Sequence, residues 1–163
     1  MLKFSLRPYQ ANDEKVINQL FNEIFSTKRT VEEWRYKFGK IEQNSTILLA
    51  VSEADQIVGQ YAALQFDLLV DGKTYRAGQP VDVFCSKQQG TVQQRVYLKL
   101  VKAFFERYGN EAGLPVLFGF PGERALKLGR YKLNYGTPRP IPFFTKKVKY
   151  WYVPYLKKLS TEL

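Results

Sequence analysis

Two long strand patterns meet at the dipeptide Asp71-Gly72, and this hairpin constrains the fold more than any other feature of the sequence. Asp-Gly suits a two-residue turn because both central residues of such a turn adopt positive φ. The first strand pattern covers Ile57–Val70, and the second runs to about Cys85. Gly78-Gln79-Pro80 interrupts the second pattern, and proline inside a strand predicts an edge or a bulge. We therefore expect an antiparallel sheet with a kink at Gly78-Gln79-Pro80.

Helix and strand patterns surround this hairpin. Before it, the sequence predicts a strand at Lys3–Arg7, a helix opened by Asn12, a helix with a capping box at Thr30–Glu33, and a strand at Ile47–Val51. After it, the sequence predicts a long helix at about Thr91–Tyr108 and a strand at Leu114–Phe120 that is buried on both faces and parallel to a neighbour. A helix at Glu123–Leu128, with Gly129 as its C′ residue, is predicted next. The last predicted elements are strands at Lys132–Tyr135 and Phe143–Val153. The predicted order is β-α-α-β-β-β-α-β-α-β-β, an α/β protein with one mixed (α+β) sheet. It forms a single domain over residues 1–163, with 151–163 as a candidate C-terminal tail.

The amino-acid composition excludes several kinds of catalytic site. The 163 residues include no histidine and one cysteine, Cys85. Ser-His-Asp and Cys-His catalysis, histidine metal sites, structural zinc and iron–sulfur clusters are therefore excluded, and we expect no metal. A lone cysteine suits a reducing compartment. Since the sequence also shows no secretory signal and no apolar run of the ~18 residues that cross a bilayer, we expect a cytoplasmic protein.

Positive charge is concentrated in the second half of the sequence. Residues 1–85 carry ten Lys/Arg and eleven Asp/Glu, whereas residues 86–163 carry fifteen and four. This asymmetry predicts an anionic partner, which would be nucleic acid, a membrane surface or a phosphorylated cofactor. The alternative is a soluble protein with one basic face.

The segment after Cys85 has the features of an anion site. A strand ends at Cys85, a polar loop contains Gly90, and a long helix follows. Free loop amides and the positive end of the helix dipole can bind a pyrophosphate. Lys87 and Arg95 add full positive charge beside that site.

The element order, the Asp-Gly hairpin, this strand–loop–helix unit and the later Phe118-Gly119-Phe120-Pro121 … Lys127-Leu128-Gly129 together resemble the GNAT superfamily of acyl-CoA-dependent N-acetyltransferases. The resemblance covers about residues 3–150. It implies a GNAT-like fold, acetyl-CoA or another acyl-CoA as co-substrate, and a small-molecule or peptide amine as acceptor, and it leaves room for a homodimer. In that superfamily the loop amides hold the coenzyme A pyrophosphate. In the same superfamily the strand before the loop bulges and splays from the next parallel strand. The gap between the two strands is a slot that holds the pantetheine arm.

The resemblance implies a set of cofactor-binding residues at the strand end, in the loop and at the helix start: Val83, Phe84, Cys85, Gln88, Gln89, Gly90, Thr91, Val92, Gln93, Arg95 and Val96. The loop departs from the superfamily pattern Arg/Gln-x-x-Gly-x-Gly/Ala in either of two registers. One register places Val92 where a small residue normally lets the pyrophosphate approach. The other places Gln93 and Arg95 at both glycine positions.

The resemblance also suggests where catalytic residues lie. Many members protonate the departing thiolate with a tyrosine four residues before the position of Gly129, where this chain has Ala125. Tyr131 is the nearest substitute and Tyr135 the next, with strand packing as the alternative role of both. Asp82 borders the slot and is the candidate base, with an ion pair to Lys or Arg as its alternative role. Cys85 has no histidine to activate it and is interpreted as a core residue.

These features predict an N-acyltransferase that moves an acetyl or other acyl group from acyl-CoA to an amine within a ternary complex. A degenerate GNAT-fold module that binds a ligand or a partner without catalysis is one alternative, supported by the imperfect loop and by Ala125. A basic nucleic-acid-binding module is the other, supported by the aromatic and basic segment Lys146–Lys158. Because that segment also suits an edge strand protected by lysines, we disfavour nucleic acid as the partner.

Overall fold

The computed structural model describes residues 4–41, 43–86, 93–110 and 113–136. The strands in these ranges are β1 (Phe4–Pro8), β2 (Ser45–Ser52), β3 (Ile57–Val70), β4 (Lys73–Cys85) and β5 (Val116–Leu117). The helices are α1 (Asp13–Phe25), α2 (Val31–Phe38), α3 (Gln93–Tyr108) and α4 (Glu123–Leu133). The predicted order of elements is confirmed from β1 to α4.

The strands form one mixed sheet in the order β1-β2-β3-β4-β5. β1 to β4 are an antiparallel meander, and β5 pairs with β4 in parallel. A parallel neighbour requires a crossover connection, which α3 supplies. The predicted fold class, an α/β protein with a mixed sheet, is confirmed.

Apolar clusters cover both faces of this sheet, so β2 is buried on both sides. Its side chains alternate, because successive residues of a strand point to opposite faces. Leu48 and Ala50 pack with α3, whereas Ile47, Leu49 and Val51 pack with α1 and α2. The α3-side cluster also holds Val58, Tyr61, Cys85, Val96, Leu100 and Phe104, and the α1–α2 cluster holds Ile17, Trp34, Phe38 and Phe84.

The local signals for the hairpin and for α2 are confirmed. Asp71 and Gly72 have φ of 48° and 74°, and Val70 pairs with Lys73 across the turn. At the start of α2, the Glu33 N–H donates to the Thr30 hydroxyl oxygen over 3.1 Å, and the Thr30 N–H donates to the Glu33 carboxylate over 2.7 Å. This reciprocal capping box fixes the start of α2.

The distortion of β4 lies nearer its C-terminal end than the sequence predicts. Gly78, Gln79 and Pro80 stay in register with β3, so the kink predicted there is wrong. The register shifts at Tyr61, which faces both Asp82 and Val83, and Asp82 has a φ of 48°. Two residues opposite one define a β-bulge.

Proline is tolerated at position 80 for a different reason. The Gly78 carbonyl oxygen accepts a hydrogen bond from the Phe118 N–H over 3.0 Å, so the backbone of Gly78 faces β5. Backbone groups two residues apart face the same edge of a strand, so the nitrogen of Pro80 also points toward that side. β5 has already ended there, and the missing N–H leaves no described ladder bond unmade.

α4 is longer than predicted and replaces a predicted strand. It continues to Leu133 and ends at Asn134, which has a φ of 53°, so the end at Leu128 and the strand at Lys132–Tyr135 are both wrong. Gly129 lies inside the helix and is not its C′ residue. A Cβ on Gly129 would lie 2.2 Å from Cδ2 of Tyr135, so the glycine is needed for close packing and not for chain reversal.

β5 is also shorter than the predicted strand at Leu114–Phe120. Leu114 is buried, but Val116, Phe118 and Phe120 are exposed because β5 is the last strand of the described sheet. Burial on both faces is therefore wrong for this run, although its parallel direction is confirmed. The strand predicted at Phe143–Val153 and the tail 151–163 lie outside the described residues. Within the described ranges, no helix is long and apolar enough to cross a membrane.

Candidate functional site

Among the described strands, β4 has only one neighbour at the bulge. Its pairing with β5 consists of Ala77 with Val116 and Gly78 with Leu117. In the described ranges no strand pairs with that edge of β4 from Pro80 onward, although β3 pairs with the other edge as far as Cys85. The backbone of Val81–Cys85 therefore presents an edge along which an extended ligand arm can lie.

The Asp82 side chain, which is 6% exposed, is bound by two cationic side chains, one from the connection between α1 and α2 and one from α2. Nη1 of Arg29 lies 2.5 Å from Oδ2, and Nζ of Lys37 lies 2.6 Å from Oδ1. The Asp82 carbonyl oxygen accepts a hydrogen bond from Nε2 of Gln60 over 2.9 Å. Asp82, the candidate base, therefore forms the ion pair with Lys and Arg that the sequence offered as its alternative role.

Arg29, in the connection between α1 and α2, is itself held by α1. Its Nε donates to Oδ1 of Asn18 over 2.7 Å, and its carbonyl oxygen accepts from the side-chain amides of Asn18 and Asn22. The guanidinium carbon lies 3.8 Å from the centre of the Phe21 ring. These contacts fix the guanidinium before it reaches Asp82.

Some buried polar atoms near Asp82 have no hydrogen-bond partner among the described residues. They are Nη2 of Arg29 and Oε1 of Gln60, and a third such atom is Nε1 of Trp34. Buried polar atoms are nearly always satisfied by protein or by water. Because Arg29 and Gln60 both contact Asp82, their two atoms mark the α1–α2 face of the bulge as a place where a water or a polar ligand group would bind.

The three predicted strand residues divide between the two faces of the sheet. Val83 and Cys85 pack on the α3 side, and Phe84 packs against α1 and α2. Burial raises the pKa of the Cys85 thiol to about 12, so the thiol is neutral at pH 7. This agrees with the interpretation of Cys85 as a core residue.

The start of α3 presents positive potential next to the end of β4. Its first N–H groups, at Gln93 to Arg95, have no partner within the helix, and its first turn carries no acidic residue. Arg95 is exposed, whereas the Val96 side chain is fully buried in the α3-side cluster. The other predicted loop residues, Gln88, Gln89, Gly90, Thr91 and Val92, lie outside the described residues.

The structure separates the two tyrosines that the sequence singled out. Tyr131 on α4 is 81% exposed, and the structure does not bring it together with Asp82. The Tyr135 side chain is largely enclosed and hydrogen-bonds to the hydroxyl groups of Tyr61 and Tyr97. Its ring also meets Phe105 edge-on, with centroids 6.1 Å apart. The three tyrosines lie on the α3 face of the sheet beside the bulge, because Tyr61 is the residue opposite Asp82 and Val83.

Burial dominates the protonation of this cluster. Desolvation, followed by the charges and hydrogen bonds of its neighbours, raises the pKa of Tyr61 and of Tyr97. Burial also raises the pKa of Tyr135, although its hydrogen bonds with Tyr61 and Tyr97 oppose that rise. All three hydroxyl groups are therefore protonated at neutral pH. Sequence reasoning missed Tyr61 and Tyr97, whose patterns match ordinary core positions.

A cavity of about 440 Å³ lies at the other end of the sheet, away from the bulge. Its lining includes Tyr9, Thr46, Gln65 and Arg76, and none of the predicted site residues. We place the candidate site at the bulge because the charges, the strand edge and the helix start converge there. In the described ranges no group of three histidine, cysteine or carboxylate side chains is arranged to hold a metal ion.

Comparison with solved structures gives the same architecture. Glucosamine-6-phosphate N-acetyltransferase from Arabidopsis thaliana superposes with a TM-score of 0.66 at 14% identity, over 88% of this chain and 99% of that one. An aminoglycoside acetyltransferase from an uncultured soil metagenomic sample, in complex with sisomicin, gives 0.65 at 17% identity over 90% and 97%. The aminoglycoside 6′-N-acetyltransferase of Acinetobacter baumannii gives 0.65 at 12% identity over 90% and 100%.

Sequence comparison identifies the family directly. No curated protein matches the chain in sequence. The sequence profile described as "Acetyltransferase (GNAT) domain" matches residues 5–132, which is most of the chain. The chain therefore belongs to the GNAT acetyltransferase family.

Proposed function

We propose that this protein transfers the acetyl group of acetyl-CoA, or the acyl group of a related acyl-CoA, to an amine of a small molecule. The observation that carries the proposal is the bulge at Asp82–Val83. It lies beyond the point where the pairing of β4 with β5 ends, and α3 is the next described element along the chain. The residues present fit the cofactor, since a strand edge without a partner strand in the described ranges leads to a helix start without acidic residues. When bound, acetyl-CoA supplies the acetyl group as a thioester.

Distinct parts of the chain would hold the two ends of the cofactor. The backbone of Val83–Cys85 lies along the slot and would bind the pantetheine amides. The first N–H groups of α3 and the Arg95 guanidinium would bind the pyrophosphate, together with the loop Gln88–Val92. In the register that places Val92 at the small-residue position, the charge of Arg95 would compensate for the lost approach of the pyrophosphate to the backbone.

In the reaction a C–N bond forms and a C–S bond breaks, while one proton leaves the amine and one reaches the sulfur. A backbone N–H of the bulge would stabilise the negative charge that develops on the carbonyl oxygen. We assign the proton that reaches the sulfur to Tyr135 in preference to Tyr131, because Tyr135 lies on the α3 face beside the bulge. Both Asp82 oxygens are in ion pairs, so we assign the amine's proton to water and keep Asp82 as the alternative base.

The acceptor would approach from the α1–α2 face, because the tyrosines fill the α3 face beside the bulge. The unpartnered Oε1 of Gln60, whose Nε2 donates to the Asp82 carbonyl oxygen, could bind a polar group of a substrate on that face. The solved relatives are named for acetylating glucosamine 6-phosphate and aminoglycosides. A small amine-bearing molecule is therefore the acceptor class that we propose, with a peptide amine as the alternative.

Three further expectations stay predictions. They are the cytoplasmic location, the single domain over residues 1–163 and the homodimer. The surface that would support a homodimer is the tip of the β3–β4 hairpin, which extends beyond the last β2 pairing, at Leu64. It exposes Phe66, Leu68, Leu69, Val70 and Tyr75.

Thermal unfolding in acetyl-CoA tests the proposal. At 100 times the dissociation constant, a ligand adds about 2.7 kcal/mol to the free energy of unfolding. For a chain of this size we expect the melting temperature to rise by roughly 5–10 °C. Arg95→Glu should reduce this rise, whereas Lys99→Glu, one turn further along the exposed side of α3, should reduce it less. An unchanged melting curve at millimolar acetyl-CoA would contradict the proposal.

Turnover distinguishes the enzyme from its non-catalytic alternative. An enzyme should release coenzyme A in the presence of amines such as glucosamine 6-phosphate or an aminoglycoside, and mass spectrometry should detect the acetylated amine. Ala125 and the altered loop favour the alternative, a module that binds acyl-CoA without turnover. Binding with no product across a broad panel of amines would support that alternative.

A further inference from the structure

We propose that Arg29 and Lys37 are positioning residues that clamp the Asp82 carboxylate and thereby hold the β4 bulge in its working shape. The structural half of this proposal stands on the contacts alone. The catalytic half, that the clamp aims a bulge N–H at the substrate oxygen, rests on the proposed function.

The backbone at Asp82 needs outside support. Its φ of 48° lies in the left-handed region, which costs free energy for any residue with a Cβ. Glycine would adopt this conformation freely, and this chain has an aspartate there instead. Such a conformation persists only where the surroundings fix it.

The contacts on Asp82 provide that support from both sides. Arg29 binds one carboxylate oxygen, Lys37 binds the other, and Gln60 of β3 donates to the backbone carbonyl. Because Arg29 is anchored to Asn18 and Asn22, the clamp ties the bulge to α1, while Lys37 ties it to α2. No other charged group of the described residues forms an ion pair with Asp82.

This arrangement gives Asp82 a role that differs from proton transfer. A carboxylate with a cation on each oxygen is poorly placed to accept a proton from an amine. Its position still matters, because a shift of about 1 Å at a catalytic group can lower a rate about a hundredfold. Arg29 and Lys37 therefore act through Asp82 and need not touch the substrate.

A double-mutant cycle with Asp82→Gly tests the clamp. In the wild-type background, Arg29→Met and Lys37→Met should each lower kcat about tenfold or more with little change in the affinity for acetyl-CoA. In the Asp82→Gly background, the same substitutions should change kcat less than about threefold, because glycine keeps the positive φ without a clamp. Lys28→Met, next to Arg29 and exposed, is the matched control and should leave kcat unchanged.

The same cycle separates the clamp from a general base. If Asp82 is the base, Asp82→Gly should lower kcat by about 10²–10⁴ and remove one ionisation from the pH profile. The clamp predicts a loss of no more than about tenfold with the pH profile retained. An equal effect of Arg29→Met in both backgrounds would overturn the proposal.

Hydrogen exchange supplies a readout that does not depend on activity. In Arg29→Met and Lys37→Met, the backbone amides of residues 81–85 should exchange at least about tenfold faster, and the substitutions should have no such effect in the Asp82→Gly background. Unchanged exchange in both variants would refute the clamp even in an active enzyme. Faster exchange in a protein that neither binds nor uses acetyl-CoA would establish the clamp and refute the proposed function. If Arg29→Met fails to fold, Lys37→Met alone decides, since the Lys37 side chain is 35% exposed and its contacts among the described residues are with Asp82 and the Phe38 ring.

Discussion

At the scale of single residues, the candidate site depends on side chains whose roles are set by their surroundings. Tyr131 and Tyr135 are four residues apart in the sequence, yet one is exposed on α4 and the other is enclosed between α3, α4 and the sheet. Asp82 likewise differs from other strand carboxylates only because Arg29 and Lys37 bind its two oxygens.

Tyr135→Phe tests the assignment of the proton donor. We expect turnover to fall about a hundredfold, since a positioned acid is typically worth 10²–10⁴ in rate. The affinity for acetyl-CoA should change little, because only a hydroxyl group is removed. Burial raises the pKa of Tyr135, so the acid stays protonated and turnover should show no loss from this group between pH 7 and 9. Steady-state kinetics and calorimetric titration measure the two quantities.

Tyr131→Phe is the matched control for that experiment. It removes the same hydroxyl group from an exposed position, and we expect turnover within about twofold of wild type. A hundredfold loss in Tyr131→Phe, with Tyr135→Phe unaffected, would restore the assignment made from the sequence.

At the scale of secondary-structure elements, the slot depends on how closely β5 approaches β4. A Cβ on Gly78 would lie 2.6 Å from Cδ2 of Leu117 and 3.0 Å from Cδ1 of Leu114. Because Gly78 has no side chain, β5 can approach β4 closely enough to pair with it in parallel. Beyond Gly78 the two strands are no longer paired.

Gly78→Ala should weaken this pairing. We expect the free energy of unfolding to fall by about 1–3 kcal/mol, because the extra methyl group overpacks a filled region. Acetyl-CoA binding should weaken as well, since β5 forms the far wall of the slot. Gly119→Ala is the control, because its Cβ would lie 3.7 Å from Pro80, which is an ordinary contact. Chemical unfolding and calorimetric titration report the two effects, and equal losses in both variants would contradict this explanation.

At the scale of the whole molecule, charge determines both stability and the choice of partner. The buried Glu14 of α1 binds both the residue that follows β1 and α2, because it accepts hydrogen bonds from Tyr9 over 2.6 Å and from Arg35 over 2.7 Å. Burial alone would raise the pKa of Glu14, but these hydrogen bonds outweigh it and lower the pKa to about 2.

This depressed pKa predicts how stability depends on pH. A carboxyl group whose pKa is lower in the folded state stabilises the fold above its unfolded pKa of about 4.3, and the contribution is lost as pH falls through the folded value. We expect Glu14→Gln to lower the free energy of unfolding by about 1–2 kcal/mol at pH 7. The difference from wild type should shrink between pH 4.5 and 2 in urea unfolding curves. A difference that stays constant over this range would show that Glu14 acts by packing alone.

The basic half of the chain can be assigned to a partner by its response to salt. A surface that neutralises six or more phosphates should lose about a thousandfold in oligonucleotide affinity between 50 and 200 mM salt. Acetyl-CoA in a slot with few ionic contacts should lose far less. Steeply salt-dependent oligonucleotide binding, with no acetyl-CoA binding, would favour the nucleic-acid alternative. Titrations of both ligands across this range make the comparison.

Local sequence patterns are enough to predict the features that depend on neighbouring residues. The Asp71-Gly72 turn, the Thr30–Glu33 capping box and the helical stripe of α3 are each fixed by residues within a few positions of one another. Together they define the order of elements, and that order, with the hairpin and the strand–loop–helix unit, is enough to indicate the family.

The position of the candidate site within that fold depends on contacts between residues that are far apart in the sequence. The bulge falls at Asp82 and not at Gly78–Pro80, because its cations come from residues as far as 53 positions away. α4 continues to Leu133 because the Tyr135 ring packs on Gly129, which reads as a helix end in the sequence. Tyr135 replaces Tyr131 as the proposed proton donor for the same reason. The hydrogen-bond partners of the Tyr135 side chain come from distant parts of the chain, and no local sequence pattern predicts them.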